Sequence, residues 1–218
     1  MARKDRTGNR KPRISRSIRV PEMGYYIVVT DAHGTEPLYF RGLHDSLPDE
    51  LKDRLVIKVI EARTREMLQT CIEQAAYDPQ YRIPWIVFDR DKVPDFDEII
   101  QSAHKQGVKV GWSNPCFEIW MYSCFGTMPA IKESWICCDR FGEIYAKKCG
   151  IRYSKTDQNL YRRLCEHGDE TKAIELASLK YKQHLSNGIS KPSDMIPCST
   201  VCEFVGEIRA KTNSISCS

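Results

Sequence analysis

The apolar residues of this chain occur in short runs that polar segments separate, and four of these runs have the character of strands. Each is largely apolar, rich in β-branched or aromatic residues, and too short for a helix of ordinary length. Most end in a cluster of polar or turn-forming residues, as strands commonly do. The predicted strands cover residues 25–29, 55–60, 85–88 and 108–112.

Between these strands the apolar residues recur at helical spacing instead. Residues 96–103 carry four apolar side chains at positions i, i+3, i+4 and i+7, the pattern of an amphipathic helix, which Gly107 can terminate. Ser, Thr and Asn are favoured N-caps, and Pro is tolerated in a first turn. Further helices are therefore predicted over residues 64–76, from an N-cap at Thr35 with Pro37 in the first turn, and from an N-cap at Asn114 followed by Pro115.

Strands that alternate with helices indicate βαβ units and an α/β fold with a mostly parallel sheet flanked by helices. After about residue 125 the strand signal fades, and helices are predicted near residues 157–166, 169–185 and 200–211. The 218 residues suffice for one domain of ordinary size with a small appendage. We expect three regions: an N-terminal arm over 1–21, an α/β core over 22–125, and a mainly helical extension over 126–218 packed on the core.

The N-terminal arm carries most of the positive charge. Residues 3–19 contain eight basic residues against Asp5 alone, a charge of +7, so the rest of the chain contributes −3 to the net charge of +4. A basic segment with so few apolar residues is expected to be flexible. It either binds the phosphates of a nucleic acid or only increases solubility, and the sequence leaves both readings open.

Two patterns bear on where the protein works. There is no apolar run of about 18 residues, and the basic N-terminus lacks the apolar stretch of a secretory signal, so we expect a cytoplasmic protein without a membrane span. The ten cysteines form no pair of CxxC units and lie near no pair of histidines. Their spacing does not predict a zinc site, and free thiols are expected in a reducing compartment.

Acidic residues follow three of the four predicted strands. Asp31 lies beyond the first strand, Asp89 and Asp91 beyond the third, and Glu118 one turn into the helix after the fourth. Ligands of parallel α/β sheets bind beyond the carboxyl ends of the strands. The sequence therefore predicts four carboxylates along one edge of one sheet.

Asp89 and Asp91 are the sharpest feature of this set. Residues two apart in an extended segment point the same way, so both carboxylates can face one Mg²⁺ or Mn²⁺ ion, which prefer oxygen ligands. The alternative is an ordinary polar turn at a strand end. Glu118 is a lone acid in an apolar segment, which is unfavourable unless it is paired or bound; near a helix N-terminus it can also simply favour the dipole.

Three segments together resemble the RloB-like family of TOPRIM-domain proteins, which is associated with prokaryotic phage defence. They are the first strand running through Asp31 into Thr35-Glu36-Pro37-Leu38-Tyr39-Phe40, the stretch Val87-Phe88-Asp89-Arg90-Asp91, and Ser113-Asn114-Pro115-Cys116-Phe117-Glu118. The similarity covers about residues 22–210. It implies a TOPRIM-like, Rossmann-like core in which Asp31, Asp89 and Asp91 hold Mg²⁺ or Mn²⁺ for phosphodiester chemistry.

The resemblance also assigns roles to other residues. Glu118 would support the metal cluster. Lys155 would contact a phosphate, or it is an ordinary solvated surface lysine. The family pattern has Glu-Gly where this chain has Asp31-Ala32. Aspartate is one methylene shorter, which withdraws its oxygens by about 1.5 Å. His33 or Glu36 could take over proton transfer. Trp85, Trp112 and Trp120 are expected to be core residues and not surfaces on which bases stack.

The function implied is that of a metal-dependent nuclease, an effector of anti-phage defence that cleaves RNA, with tRNA as one candidate. The alternative is a regulatory module that binds nucleic acid or a nucleotide without turnover and works with a partner ATPase of the ABC type. The altered acid at Asp31 keeps that alternative open. Nothing in the sequence decides whether the chain forms homo-oligomers.

Overall fold

A computed structural model describes residues 21–31, 34–76, 81–91 and 93–216 of the chain. Residues 3–19 of the predicted basic arm and His33 lie outside these described residues. Among the helices of the described part of the chain, none combines the length and the apolar character that crossing a membrane requires.

A five-stranded sheet forms the centre of the fold, and four of its strands are parallel, which confirms the predicted α/β class. The strand order is β2-β1-β3-β4-β5, and β5 pairs antiparallel with β4 at the edge. The strands are β1 (Gly24–Asp31), β2 (Leu55–Ala62), β3 (Arg82–Asp89), β4 (Lys109–Asn114) and the short β5 (Cys198–Ser199).

Helices connect the parallel strands and form the C-terminal part of the described chain. They are α1 (Thr35–Asp45), α2 (Asp49–Lys52), α3 (Thr64–Ala75), α4 (Phe96–Lys105), α5 (Glu118–Cys124), α6 (Ser134–Cys149), α7 (Leu160–His167), α8 (Glu170–Ser186) and α9 (Val201–Ser216), with a 3₁₀ turn at Pro192–Asp194. The helices predicted near 157–166, 169–185 and 200–211 correspond to α7, α8 and α9. Helix α6 had no counterpart in the sequence prediction.

Both faces of the sheet are covered. Alternate residues of a strand point to opposite faces, so Tyr26 and Val28 belong to one hydrophobic cluster and Ile27 and Val29 to the other. On the first face Phe204 of α9 meets the rings of Tyr26, Phe40 and Trp85 at centroid distances of 5.7, 5.3 and 5.1 Å. The last helix therefore shares the core of the first and third strands.

Two predicted helix starts were wrong. Gly34, not Thr35, precedes α1, and the Thr35 hydroxyl forms a hydrogen bond of 2.9 Å with the Tyr153 hydroxyl instead of capping the helix. Helix α5 begins at Glu118, after a cis peptide between Asn114 and Pro115. Asn114 does not cap it, because its amide donates to the carbonyls of Pro192 and Ser193 at 3.2 and 3.1 Å. Glu118 is thus the first helical residue and not one turn further in.

Candidate functional site

A cleft of about 360 Å³ opens at the carboxyl edge of the parallel strands. The ends of β1 and β3, the first turns of α1 and α5, and the segment between α6 and α7 all contribute to its wall, as expected where parallel strands end together. Six of the seven sequence-predicted site residues line it: Asp31, Glu36, Asp89, Asp91, Glu118 and Lys155. The seventh, His33, lies outside the described residues.

Asp89 is the last residue of β3 and lies deep in this cleft. Its Oδ2 accepts a hydrogen bond of 3.3 Å from the backbone N–H of Phe117. Burial, and then the negative charges of Glu36, Glu118 and Asp91, raise the pKa of Asp89 well above its usual value. The carboxyl group is therefore in an environment that favours either a proton or a cation.

Asp91 does not occupy the extended segment that the sequence suggested. Strand β3 ends at Asp89, and Asp91 lies in the turn that follows. The turn is held by the intervening residue: the Arg90 N–H donates to the carbonyl of Ser113 at 2.9 Å, and its guanidinium donates to the carbonyl of Val93 at 2.9 Å. The exposed side chain of Asp91 nevertheless lines the same cleft as Asp89.

Asp31 ends β1 on the neighbouring strand. The hydroxyl of Thr64, the first residue of α3, donates to its Oδ2 at 2.9 Å. One oxygen of the carboxylate is thus oriented by the start of the next helix. The Asp31 side chain lines the cleft together with Thr64.

Glu36 lies in the first turn of α1 and is only 7% exposed. Its carboxylate folds back over Gly34, where a Cβ would require Oε2 to shift. Burial raises the pKa of Glu36 to about 7; the charges of Glu118 and Asp31 add to this effect, while a backbone hydrogen bond and Lys155 oppose it. A carboxyl group with a pKa near neutrality can accept and release a proton.

Glu118 is 1% exposed and pairs with a residue far along the chain. The Lys155 ammonium lies 3.0 Å from Oε1, and the Tyr153 hydroxyl donates to the same oxygen at 2.9 Å. Burial opposes ionisation, but the charge and hydrogen bond of Lys155 outweigh it and lower the pKa of Glu118. Oε2 is buried and has no hydrogen-bond partner among the described residues. Such an atom is unfavourable unless something binds it.

These contacts join the two most distinctive sequence segments. The Thr35 hydroxyl, in the Thr-Glu-Pro segment, contacts the Tyr153 hydroxyl, which in turn contacts Glu118 in the Pro-Cys-Phe-Glu segment. Lys155 completes the chain from the exposed side. Sequence reasoning placed Lys155 near a phosphate but did not find its pairing with Glu118, which spans 37 residues and leaves no periodic signal.

Two cysteines lie next to Glu118. The ligand atoms of Cys116, Glu118 and Cys138 all lie within 4.8 Å of one another, and the two sulfurs are 4.0 Å apart. Such a close group of three potential ligands could hold a metal ion. Among the described residues no other three acidic, cysteine or histidine side chains lie so close together. Asp31, Asp89 and Asp91 line one cleft without forming a comparably tight group.

The thiols of this group are protonated in the metal-free protein. Hydrogen bonding to a neighbouring thiol, burial and the charge of Glu118 raise the pKa values of Cys116 and Cys138 well above the ordinary value. The nine described cysteines are all free, as expected. The spacing of the cysteines could not predict this pair, because Cys138 lies on α6, which the sequence did not reveal.

A wider cleft of about 740 Å³ adjoins the first and shares Asp89, Asp91 and Lys155 with it. Its other wall is the start of α6 and the segment before it, including Lys132 and Trp135. None of these wall residues was singled out from the sequence. The acidic edge therefore opens onto a second, wider cleft.

Of three comparisons with known proteins, one gives a match, and it is to a protein family. No curated protein and no solved structure matches the chain. The family model described as RloB-like protein matches residues 26–208. That range is 183 of the 218 residues and includes every residue named in the acidic cleft. The chain belongs to the RloB-like protein family.

Proposed function

We propose that this protein is a metal-dependent nuclease of TOPRIM type that hydrolyses phosphodiester bonds in RNA, with tRNA as a candidate substrate, and acts as an effector in anti-phage defence. The observation that supports hydrolysis is the gathering of five carboxyl groups and one lysine in a single cleft among the described residues. The choice of RNA and the defence role rest on the resemblance to TOPRIM nucleases.

The residues of the cleft fit a divalent cation with oxygen ligands. The carboxyl groups outnumber the one ammonium group of Lys155, Asp89 is partly buried near several negative charges, and Glu118 Oε2 lacks a partner in the described structure. Asp31, Asp89 and Asp91 would hold Mg²⁺ or Mn²⁺. When bound, the ion would neutralise phosphate charge and lower the pKa of a water ligand.

The other residues have roles that do not depend on the ion. Lys155 is about half exposed while its ammonium is fixed by Glu118, so it can contact a phosphate from the solvent side. Glu118 positions Lys155 rather than contacting the substrate. Glu36 has a pKa near 7 and is suited to move a proton to or from the reacting groups. His33 stays an alternative for that step.

Cleavage assays test this proposal. Full-length protein would be incubated with labelled tRNA, a single-stranded RNA and plasmid DNA in the presence of Mg²⁺ or Mn²⁺. We expect cleavage of RNA that Asp89→Ala/Asp91→Ala abolishes. The matched control is Asp45→Ala/Glu50→Ala. It also removes two acidic residues, but both are exposed and lie at the opposite edge of the sheet. Equal cleavage by all three proteins would end the proposal.

The alternative is a regulatory module that binds nucleic acid or a nucleotide without turnover and works with a partner ATPase. Two features favour it: the hydrogen bond from Thr64 already uses one oxygen of Asp31, and the three aspartates are not tightly gathered. In that case nucleic acid would bind in EDTA, and no divalent ion would produce cleavage. The basic arm over residues 3–19 would contribute phosphate contacts under either proposal.

A further inference from the structure

Trp135 differs from the other three tryptophans of the chain. Trp85, Trp112 and Trp120 are 2%, 4% and 0% exposed, which confirms them as core residues, whereas Trp135 is 71% exposed. It is the second residue of α6 and is not needed for the apolar face of that helix, which Cys137, Phe141 and Tyr145 form. The indole of Trp135 therefore contributes little to the packing of the core.

The position of Trp135 relates it to the acidic site. It lines the 740 Å³ cleft that contains Asp89 and Asp91, and it also lines a further cleft of about 590 Å³ that lies on its other side. Both clefts include Lys155. A molecule that enters either cleft therefore meets the indole and the lysine together.

Basic side chains line both clefts beside the indole. Lys132 shares the first cleft and Arg152 the second, both are exposed, and neither forms a salt bridge with any residue that the structure describes. Acids are interspersed: Glu133 lines the first cleft, and Asp139 and Glu143 line the second. The first cleft, which Arg90, Lys132 and Lys155 line, is the one that leads to Asp89 and Asp91.

We infer that Trp135 stacks on an unpaired base of a single-stranded nucleic acid whose backbone runs along Lys132 and Lys155 towards Asp89 and Asp91. This inference rests on the proposed function and specifies its substrate as single-stranded. In a duplex the faces of the bases are covered by their neighbours, so only an unpaired or splayed base offers a face to an indole. Aromatic stacking tolerates any base, whereas the cations select the phosphates.

The arrangement of tryptophans provides a direct readout. Because the other three indoles are buried, a change of intrinsic fluorescence on adding a short oligonucleotide reports mainly on Trp135. Full-length protein in EDTA would be titrated with single-stranded RNA, single-stranded DNA and duplex RNA of equal length, so that binding is measured without cleavage. We expect single strands to quench the emission and to protect it from acrylamide, and the duplex to do so weakly.

Variants separate stacking from simple attraction of charge. Trp135→Ala should weaken binding of labelled single strands by about 5- to 100-fold, the range expected for the loss of one stacked base, while Trp135→Phe should retain most of the affinity. The matched control is Tyr81→Ala, which removes an aromatic residue that is 88% exposed at the amino end of β3, on the opposite edge of the sheet. Its affinity should be unchanged, and circular dichroism should show every variant folded.

The outcomes keep this inference distinct from the proposed function. If Asp89→Ala/Asp91→Ala still quenches on binding while no protein cleaves, stacking stands and hydrolysis fails. If RNA is cleaved but Trp135→Ala has unchanged affinity and KM, hydrolysis stands and stacking is overturned. If no oligonucleotide changes the emission, stacking is likewise overturned.

Discussion

Replacing Glu36 by glutamine should stabilise the metal-free protein, because it removes a carboxyl group that the fold holds in an unfavourable environment. Glu36 is 7% exposed, and burial together with the charges of Glu118 and Asp31 raises its pKa from 4.5 to about 7. Glutamine has nearly the same shape and cannot ionise. The substitution therefore tests the electrostatics of the cleft with little change in packing.

The magnitude follows from the pKa values. When the pKa is higher in the folded than in the unfolded state, the folded state binds more protons, and stability decreases as pH rises between the two values. At about 1.4 kcal/mol per pH unit, ionising Glu36 destabilises the fold by less than about 1 kcal/mol at pH 5 and by about 3 kcal/mol at pH 8. Glu36→Gln should lose this dependence, and its advantage should reach its full size above pH 7.

Urea unfolding between pH 5 and pH 8 in EDTA measures this difference. The control is Glu50→Gln, an exposed glutamate on α2, whose unfolding free energy should follow the wild-type curve. Added Mg²⁺ should narrow the gap between wild type and Glu36→Gln, because a bound cation offsets the negative charge that glutamine removes. Parallel curves for wild type and Glu36→Gln across this pH range would refute the reasoning.

Two further predictions concern Glu118 and its neighbours. Lys155→Ala leaves Glu118 buried without its cation and should destabilise the protein by about 1–3 kcal/mol in thermal or urea unfolding. Adding Glu118→Gln to this variant should recover part of the lost stability. If the two substitutions instead destabilise the protein additively, the pairing is contradicted. Addition of Co²⁺ should produce a thiolate-to-metal absorption band and release protons, because the thiols of Cys116 and Cys138 are protonated in the free protein. Cys138→Ser should lose the band, and an unchanged spectrum would exclude these ligands.

The sheet and its acidic edge could be predicted because both are local in the sequence. Each parallel strand is a short apolar run, and residues that end such strands share one edge, so the sequence alone places Asp31 and Asp89 together. Asp91 lines the same cleft as Asp89, but the chain turns after Asp89 instead of staying extended as predicted.

The wall formed by α6 could not be predicted with the same means. Its buried residues Cys137, Phe141 and Tyr145 do recur at helical spacing, but cysteines and Gly142 dilute the apolar pattern. Without that helix, neither the thiol pair nor the exposed Trp135 could be located. The start of α5 was missed for another reason: the side chain of Asn114 contacts a segment about 80 residues later, which no local rule includes.

The position of Glu118 shows why the regions before and after residue 125 form one site. Its carboxylate is buried at the start of α5 in the core region, yet both of its polar partners, Tyr153 and Lys155, come from the region after residue 125. Burial of a carboxylate without partners would be strongly unfavourable, so the acidic edge of the sheet requires that later segment to be in place. Phe204 of α9 also ties the chain after residue 125 to the sheet, because its ring contacts Tyr26 and Trp85 in the same hydrophobic cluster as α5. The segment between α6 and α7 is therefore part of what keeps Glu118 ionised at the edge of the sheet, and the cleft depends on the chain after residue 125 as well as on the sheet.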